Sequence, residues 1–181
     1  MRSLLIKAWR ILKLPKGLQI TAMRITQDEF LIGVTGVILN DKNEILICKH
    51  TYRSGKKWSL PGGYLKGKEH PKEGLAREIE EETGLIVRAE EQYRLSTDRD
   101  TARIDISLIG KFIGGDFRPS HEVSDAKFFA FEDLPSISRN QLVLIKEVLE
   151  HKQKRTETLT PEKREDLSIW QRIKFVTRGR I

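Results

Sequence analysis

The sequence predicts an α/β (α+β) domain in which a mixed sheet is sandwiched between helices, with further helical segments added at its N- and C-terminal ends. Three observations predict it. Runs rich in isoleucine, leucine and valine recur between residues 30 and 51 and between 86 and 112, at strand lengths. Two segments, 71–83 and 140–151, carry their apolar side chains at helical spacing instead. The net charge of +7 over 181 residues is concentrated at the ends. Residues 1–24 hold six basic side chains and no acid, and residues 151–181 hold nine basic against four acidic, so the middle has 22 acidic groups against 18 basic. The chain thus divides into a basic N-terminal helix and linker (1–24), a central domain (25–150) and a basic C-terminal helical extension (151–181). An acidic centre suits cation binding, and basic ends suit phosphates, nucleic acid or an anionic membrane surface.

In chain order, residues 2–14 place Leu4, Leu5, Ala8, Trp9, Ile11 and Leu12 on one side of a helix and Arg2, Lys7, Arg10 and Lys13 on the other, with Pro15 and Gly17 as its stop. Residues 30–40 and 44–51 read as a hairpin about the turn Asn40-Asp41-Lys42-Asn43. A basic loop over 52–57 leads to a short strand at 58–63 that stops on the pair Gly62-Gly63. A helix starts at Pro71, which suits the first helical position, with Glu73 placed to cap it; it runs to Thr83 and stops at Gly84. Strands follow over 86–98, 103–112 and 126–131. A second helix over 140–151 turns Leu142, Ile145, Val148 and Leu149 inward, and 161–174 forms one more, whose Leu167, Ile169, Trp170 and Ile173 need an apolar surface.

The single cysteine, Cys48, excludes an internal disulfide and a thiolate metal cluster and fits a reducing, cytoplasmic setting. No apolar run approaches the roughly 18 residues of a spanning helix. The N-terminal segment does not read as a secretory signal, because Lys7 and Arg10 interrupt it. Its amphipathic helix is expected to pack on the domain or on a second subunit of a homodimer, in preference to an anionic membrane.

The chemistry lies in the segment GYLKGKEHPKEGLAREIEEETGL. Gly63 is followed by five residues and Glu69, then seven residues and Arg77-Glu78, with Glu81, Glu82 and Gly84 closing the pattern. Four carboxylates, Glu78, Glu80, Glu81 and Glu82, occupy the last turns of a helix. There the macrodipole disfavours each by roughly 0.3 to 1 kcal/mol. Glu78, Glu81 and Glu82 share one face at like-charge spacing, a conflict that a divalent cation removes. Oxygen ligands suit magnesium or manganese, which bridge to substrate phosphates. The bland alternative, a solvated helix end with Arg77 pairing Glu73 or Glu81, does not account for Gly63, Glu69 and Gly84 in register.

That segment resembles the Nudix (MutT-like) signature G-x5-E-x7-R-E-U-x-E-E-x-G-U, with U a bulky apolar residue, at every specified position. Seven fixed residues would coincide by chance about once in 10⁸ windows at average usage. The resemblance implies a metal-dependent pyrophosphohydrolase. Water would attack phosphorus and cleave a phosphoanhydride bond in a nucleotide or a nucleoside diphosphate linked to another group. It implies Glu78, Glu81 and Glu82, with the carbonyl of Gly62, as ligands of Mg²⁺ or Mn²⁺. Glu78, Glu82 and Glu122 are the catalytic candidates; the water is activated either by Glu78 or by a later-loop acid such as Glu122. Glu69 and Arg77 are orienting groups. Arg53 and Lys49 are expected on the substrate phosphates and Trp58 on the base, although a tryptophan beside a strand also suits the core. Cys48 is a packing residue, and His50 and His70 have no partner at ligand spacing.

The substrate stays open at this level. ADP-ribose hydrolases of the family tend to carry a proline beyond the box, where this chain has Asp100 and Thr101. Basic termini suit RNA, as in a 5′-end pyrophosphohydrolase, but no interleaving of aromatic and basic residues marks a single-strand platform. The roughly 30 residues after His151 are too few for a winged-helix DNA-binding domain fused to a sensor.

Overall fold

A computed structural model describes residues 15–18, 20–21, 29–98 and 100–158. The amphipathic helix expected over 2–14 and the helix expected over 161–174 lie outside the described residues. Pro15 is not helical and residues 16–18 are. The elements are β1 (Leu31–Leu39), β2 (Ile45–His50), β3 (Trp58–Ser59), β4 (Gly62–Tyr64), α1 (Pro71–Thr83), β5 (Ile86–Asp98), β6 (Arg103–Gly114), β7 (Val123–Phe129), a 3₁₀ turn (Phe131–Asp133) and α2 (Arg139–Thr158). No helix among the described residues is long and apolar enough to cross a membrane.

The strands form one mixed sheet in the order β3-β2-β1-β6-β5, with β4 added to β1 and β7 to β2. β1 runs parallel to β6 over its whole length, from Leu31 opposite Arg103 to Leu39 opposite Lys111, and antiparallel to β4. The expected hairpin joins β1 to β2, which pair antiparallel. Its turn forms, with the Asn40 side chain accepting from the Lys42 and Glu44 amides, but the register pairs only Leu39 with Ile45. The strands diverge beyond the turn because β1 takes β4 and β6 as neighbours while β2 takes β3 and β7.

Side chains alternate across a strand, and here each face meets a helix. Val34, Ile38, Leu46, Cys48, Ile106 and Leu108 pack with Leu75 and Ile79 of α1. Val37, Leu39, Ile45, Ile47 and Ile109 pack with Leu144, Ile145 and Val148 of α2. Each such leucine, isoleucine or valine contributes about 1.5–3 kcal/mol of burial. Cys48 lies fully buried between Ser59 of β3 and Ala126 of β7. Burial, with Glu82 and Asp125 nearby, pushes its thiol up to about 12.

Several bounds differ from expectation: the strand expected over 58–63 is divided into β3 and β4, and β6 runs on to Gly114. β7 starts at Val123 and ends at Phe129, which puts Glu122 directly before the strand. α2 continues beyond residue 151 to Thr158, through lysine, glutamine and arginine, which are good helix formers without an apolar stripe to announce them. Within α2, Leu142 is 37% exposed and Leu144 is buried instead, a rotation of the inward face from the expected one.

Candidate active site

α1 presents the acidic cluster by its position against the sheet. Its first turn is closed by a reciprocal cap, the His70 imidazole accepting from the Lys72 amide and the Glu73 carboxylate accepting from the His70 amide. Leu75 and Ile79 turn into the core, so Glu78 and Glu82, one turn apart, lie along the flank of the helix that meets β4. Two glycines make that approach possible. A Cβ on Gly63 would stand 2.4 Å from the Glu78 carboxyl carbon, and one on Gly62 would stand 2.1 Å from the Val34 carbonyl oxygen.

Arg77 fixes the loop between β4 and α1. Its Nε and Nη2 donate to the two Glu69 carboxylate oxygens at 2.6 and 2.9 Å, and Nη1 donates to Glu78 at 2.8 Å and Glu81 at 3.0 Å. The remaining Nη2 hydrogen reaches the Tyr64 carbonyl at 3.1 Å, so all five guanidinium hydrogens are engaged. Arg77, with the Lys66 amide, holds the Glu69 carboxyl down at about 2. Lysine has neither the planar fork nor enough donors for this arrangement.

Glu82 is the opposite case. It is 9% exposed and its Oε2 is buried without a hydrogen-bond partner. Burial pushes its carboxyl up to about 7, reinforced by the charges of Glu122 and Glu78 and opposed by Arg53. Glu122 reaches this place on a loop tied at several points: the Thr51 amide donates to the Glu122 carbonyl, Ser120 Oγ accepts from the Glu122 and Val123 amides, and the Arg118 amide donates to the Thr83 carbonyl at the end of α1.

Gly62, Glu78, Glu82, Glu122 and Arg53 line one open cavity of about 750 Å³. Glu81 is outside it. Its side chain is 53% exposed and held by Arg77 and, at 3.3 Å, by Lys66. Lys49 and Trp58 are outside it too. The Trp58 ring packs edge-on against Phe129 in the α2-side core, and the Lys49 ammonium lies over that ring at 5.8 Å. Of the other loop cations, Lys56 donates to the Ile137 carbonyl at 2.8 Å.

The cavity also contains groups that the sequence reading passed over. Arg94 and Ser96 of β5 and Arg103, Asp105 and Ser107 of β6 form a polar floor, with Gln141 of α2 at its edge. Arg103 donates to Asp105 at 3.0 Å, and Arg94 pairs with Glu147. Gln141 Oε1 is buried without a partner. The signal was present: polar residues at alternate positions of β6 mark one face of a strand that is otherwise apolar.

As a cation site the arrangement is open. Among the described residues no three histidine, cysteine, aspartate or glutamate side chains converge on one point. The chemistry nevertheless fits a hard divalent ion, because Glu82 has an unpartnered buried oxygen beside Glu78 and Glu122 and the donors are all oxygen. Glu81 would join them only by exchanging its ion pairs with Arg77 and Lys66.

A model of the NUDIX domain matches residues 29–152. The chain is 33% identical over 126 residues to an ADP-ribose pyrophosphatase of Methanocaldococcus jannaschii, covering 67% of this chain and 74% of that protein. It is 23% identical over 103 residues to an NAD-capped RNA hydrolase of Vibrio parahaemolyticus, covering 56% of this chain but only 40% of the relative. A crystal structure of an ADP-ribose pyrophosphatase from Streptococcus suis superposes with a TM-score of 0.56 at 25% identity, over 66% of this chain and 92% of that one.

Proposed function

The chain belongs to the Nudix family of phosphoanhydride hydrolases, and we propose that it hydrolyses a nucleoside diphosphate linked to a second group, in the cavity that Glu78, Glu82, Glu122 and Arg53 share. The observation that carries the reading is Glu82, an almost fully buried carboxylate with an unpartnered oxygen, surrounded by acids on an α1 that reaches the sheet through Gly62 and Gly63. Such a site favours a cation, and Glu78, Glu82 and the Gly62 carbonyl are the groups to hold Mg²⁺ or Mn²⁺. When bound, the ion neutralises substrate phosphate charge and lowers the pKa of bound water.

The chain's own residues supply the rest. Arg53, opposite the acids, takes a non-bridging phosphate oxygen. A water oxygen attacks phosphorus, the anhydride P–O bond breaks, and the water proton passes to Glu122, which a tied loop holds in the cavity. The products are two phosphate monoesters. Arg77 and Glu69 keep Glu78 aimed without touching substrate. ADP-ribose is the first substrate to try, given the named relatives; the polar floor at Arg103, Asp105 and Gln141 suits a second group rich in hydroxyls or charge. The single buried cysteine supports a cytoplasmic setting.

The test is a panel of ADP-ribose, nucleotide sugars, dinucleoside polyphosphates and triphosphorylated RNA, with product identification in Mg²⁺, in Mn²⁺ and in excess EDTA. Chelation abolishes turnover, and Glu78→Gln and Glu82→Gln each lower kcat by about 10² to 10⁴. Glu122→Gln removes the acidic limb of the pH–rate profile if Glu122 takes the proton. Full activity in EDTA eliminates the metal, and an unaltered profile eliminates Glu122 as the base.

A further inference from the structure

A second cavity of about 780 Å³ lies between β5, β6 and the C-terminal half of α2, and it is strongly cationic. Its charged lining has five lysine and arginine side chains, Lys72, Arg88, Lys111, Lys152 and Arg155, against Glu90 and Glu91. The two acids are already divided: Glu91 pairs with Arg155 at 2.7 Å, and Glu90 with Arg88 at 3.1 Å and Lys111 at 4.0 Å. By formal charge the lining holds three more basic than acidic side chains. Two backbone features concentrate them. Arg88 and Lys111 are direct cross-strand partners in the β5–β6 ladder, a like-charge pairing that destabilises a sheet. The register also shifts between Ala89 and Glu91, a bulge that lets the consecutive residues 88–91 all border one concavity, where a regular strand would alternate them. Lys152 is partly desolvated beside Lys111, which lowers its pKa.

This cavity is separate from the catalytic one but continuous with its wall. Asn140 and Leu144 of α2 line the catalytic cavity, and His151 and Arg155, on the same helical stripe, line the second. Between them, Glu147 on that stripe pairs with Arg94 and closes the seam. Leu144 and His151 are two helical turns apart, about 10 Å. We propose that the second cavity is an accessory phosphate site, which binds a phosphate group either at the far end of an extended substrate or on a free polyphosphate. A polyanion would relieve the Arg88–Lys111 repulsion and accept charge-assisted hydrogen bonds from the basic side chains of the lining.

The probe is tripolyphosphate, titrated into the full chain in EDTA and followed by backbone amide shifts. Resonances of residues 88–91, 109–111 and 151–155 move, and the Arg88→Gln/Lys111→Gln double variant weakens the affinity by about tenfold or more. The same variant keeps kcat for a short substrate, and its melting temperature stays near that of the parent, because the exposed pairs of Arg88 and Lys111 with Glu90 are lost together with the repulsion between the two cations. A rise in KM for an extended polyphosphate substrate alone assigns the site to substrate; an unchanged KM with tripolyphosphate still bound assigns it to a free ligand. Shifts confined to the catalytic cavity, or equal binding by the double variant, overturn the proposal. The shift map on the unmodified chain decides it even if the variant misfolds.

Discussion

At residue scale the site depends on atoms that are missing as much as on those present. Gly63 leaves the space that the Glu78 carboxyl occupies, so Gly63→Ala displaces Glu78 and lowers kcat by about 10–100-fold, the usual effect of losing an orienting contact. Its melting temperature stays near that of the parent, because Gly63 has no positive φ and a short strand tolerates alanine; unchanged kcat would show that Glu78 has no fixed position. The raised pKa of Glu82 has a defined consequence for stability. An acid whose folded pKa lies above its ordinary 4.5 favours the protonated native state, so its stabilisation is complete below pH 4.5 and is lost as pH rises through about 7. In EDTA, urea midpoints of the parent therefore fall relative to Glu82→Gln between those limits, and parallel curves would remove the burial argument. The spacing of Gly63, Glu69, Arg77, Glu78 and Glu82 was readable as sequence because the motif is local and its charge conflict is visible. The Arg77–Glu81 pair was among the alternatives that the i,i+4 spacing offered, whereas Lys66, which comes from the preceding loop, was not legible as its second partner. Trp58 illustrates the same limit: its ring suits a base or a core, and Phe129, distant in sequence, takes it.

At element scale, α1 ends in a way that couples the helix to the loop of Glu122. Gly84 has φ 73°, and a Cβ there would stand 2.7 Å from the Asp116 carbonyl oxygen. Gly84→Ala is therefore expected to destabilise the protein by about 1–3 kcal/mol, through left-handed strain and that clash. It also lowers kcat, because the Arg118 amide that bonds Thr83 belongs to the same loop; denaturant midpoints and turnover read the two effects separately. A variant of parental stability would mean that the turn relaxes freely. Pro71, Glu73 and Gly84 announced α1 in the sequence. The turn at 40–43 announced the β1–β2 hairpin but not how short its pairing is, because a turn signal does not tell which other strands β1 takes as neighbours and the parallel β6 is distant in sequence. The last turns of α2 were missed because their support is ionic, through Glu91, and not an apolar stripe.

For the whole molecule, the apolar runs of β1, β2 and β6 and the Nudix likeness made a mixed sheet between helices legible, but not its strand order. The polar face of β6 was legible in its alternate polar positions, but its place in the catalytic cavity and the whole of the second cavity were not, because each draws on β5, β6 and α2, whose meeting depends on the register of non-local pairs. The cysteine at the centre of that sheet has a practical use. Cys48 has no exposed surface, and its thiol is held at about 12 by burial and by Glu82 and Asp125, so a disulfide reagent has no thiolate to attack in the native protein. Reaction requires the β2–β3 and β2–β7 ladders to open, an event expected to cost much of the global stability of about 5–15 kcal/mol. With one cysteine in the chain, labelling becomes a clock: its rate relative to that of the unfolded chain gives the opening equilibrium of the sheet without denaturant. We expect labelling at pH 8 to be slowed at least about 10³-fold, and to slow again when a ligand that binds only the native state is added. Labelling at the unfolded rate would place Cys48 at a surface, while a rate that substrate fails to slow would report a local opening of β2 that leaves the binding cavity intact.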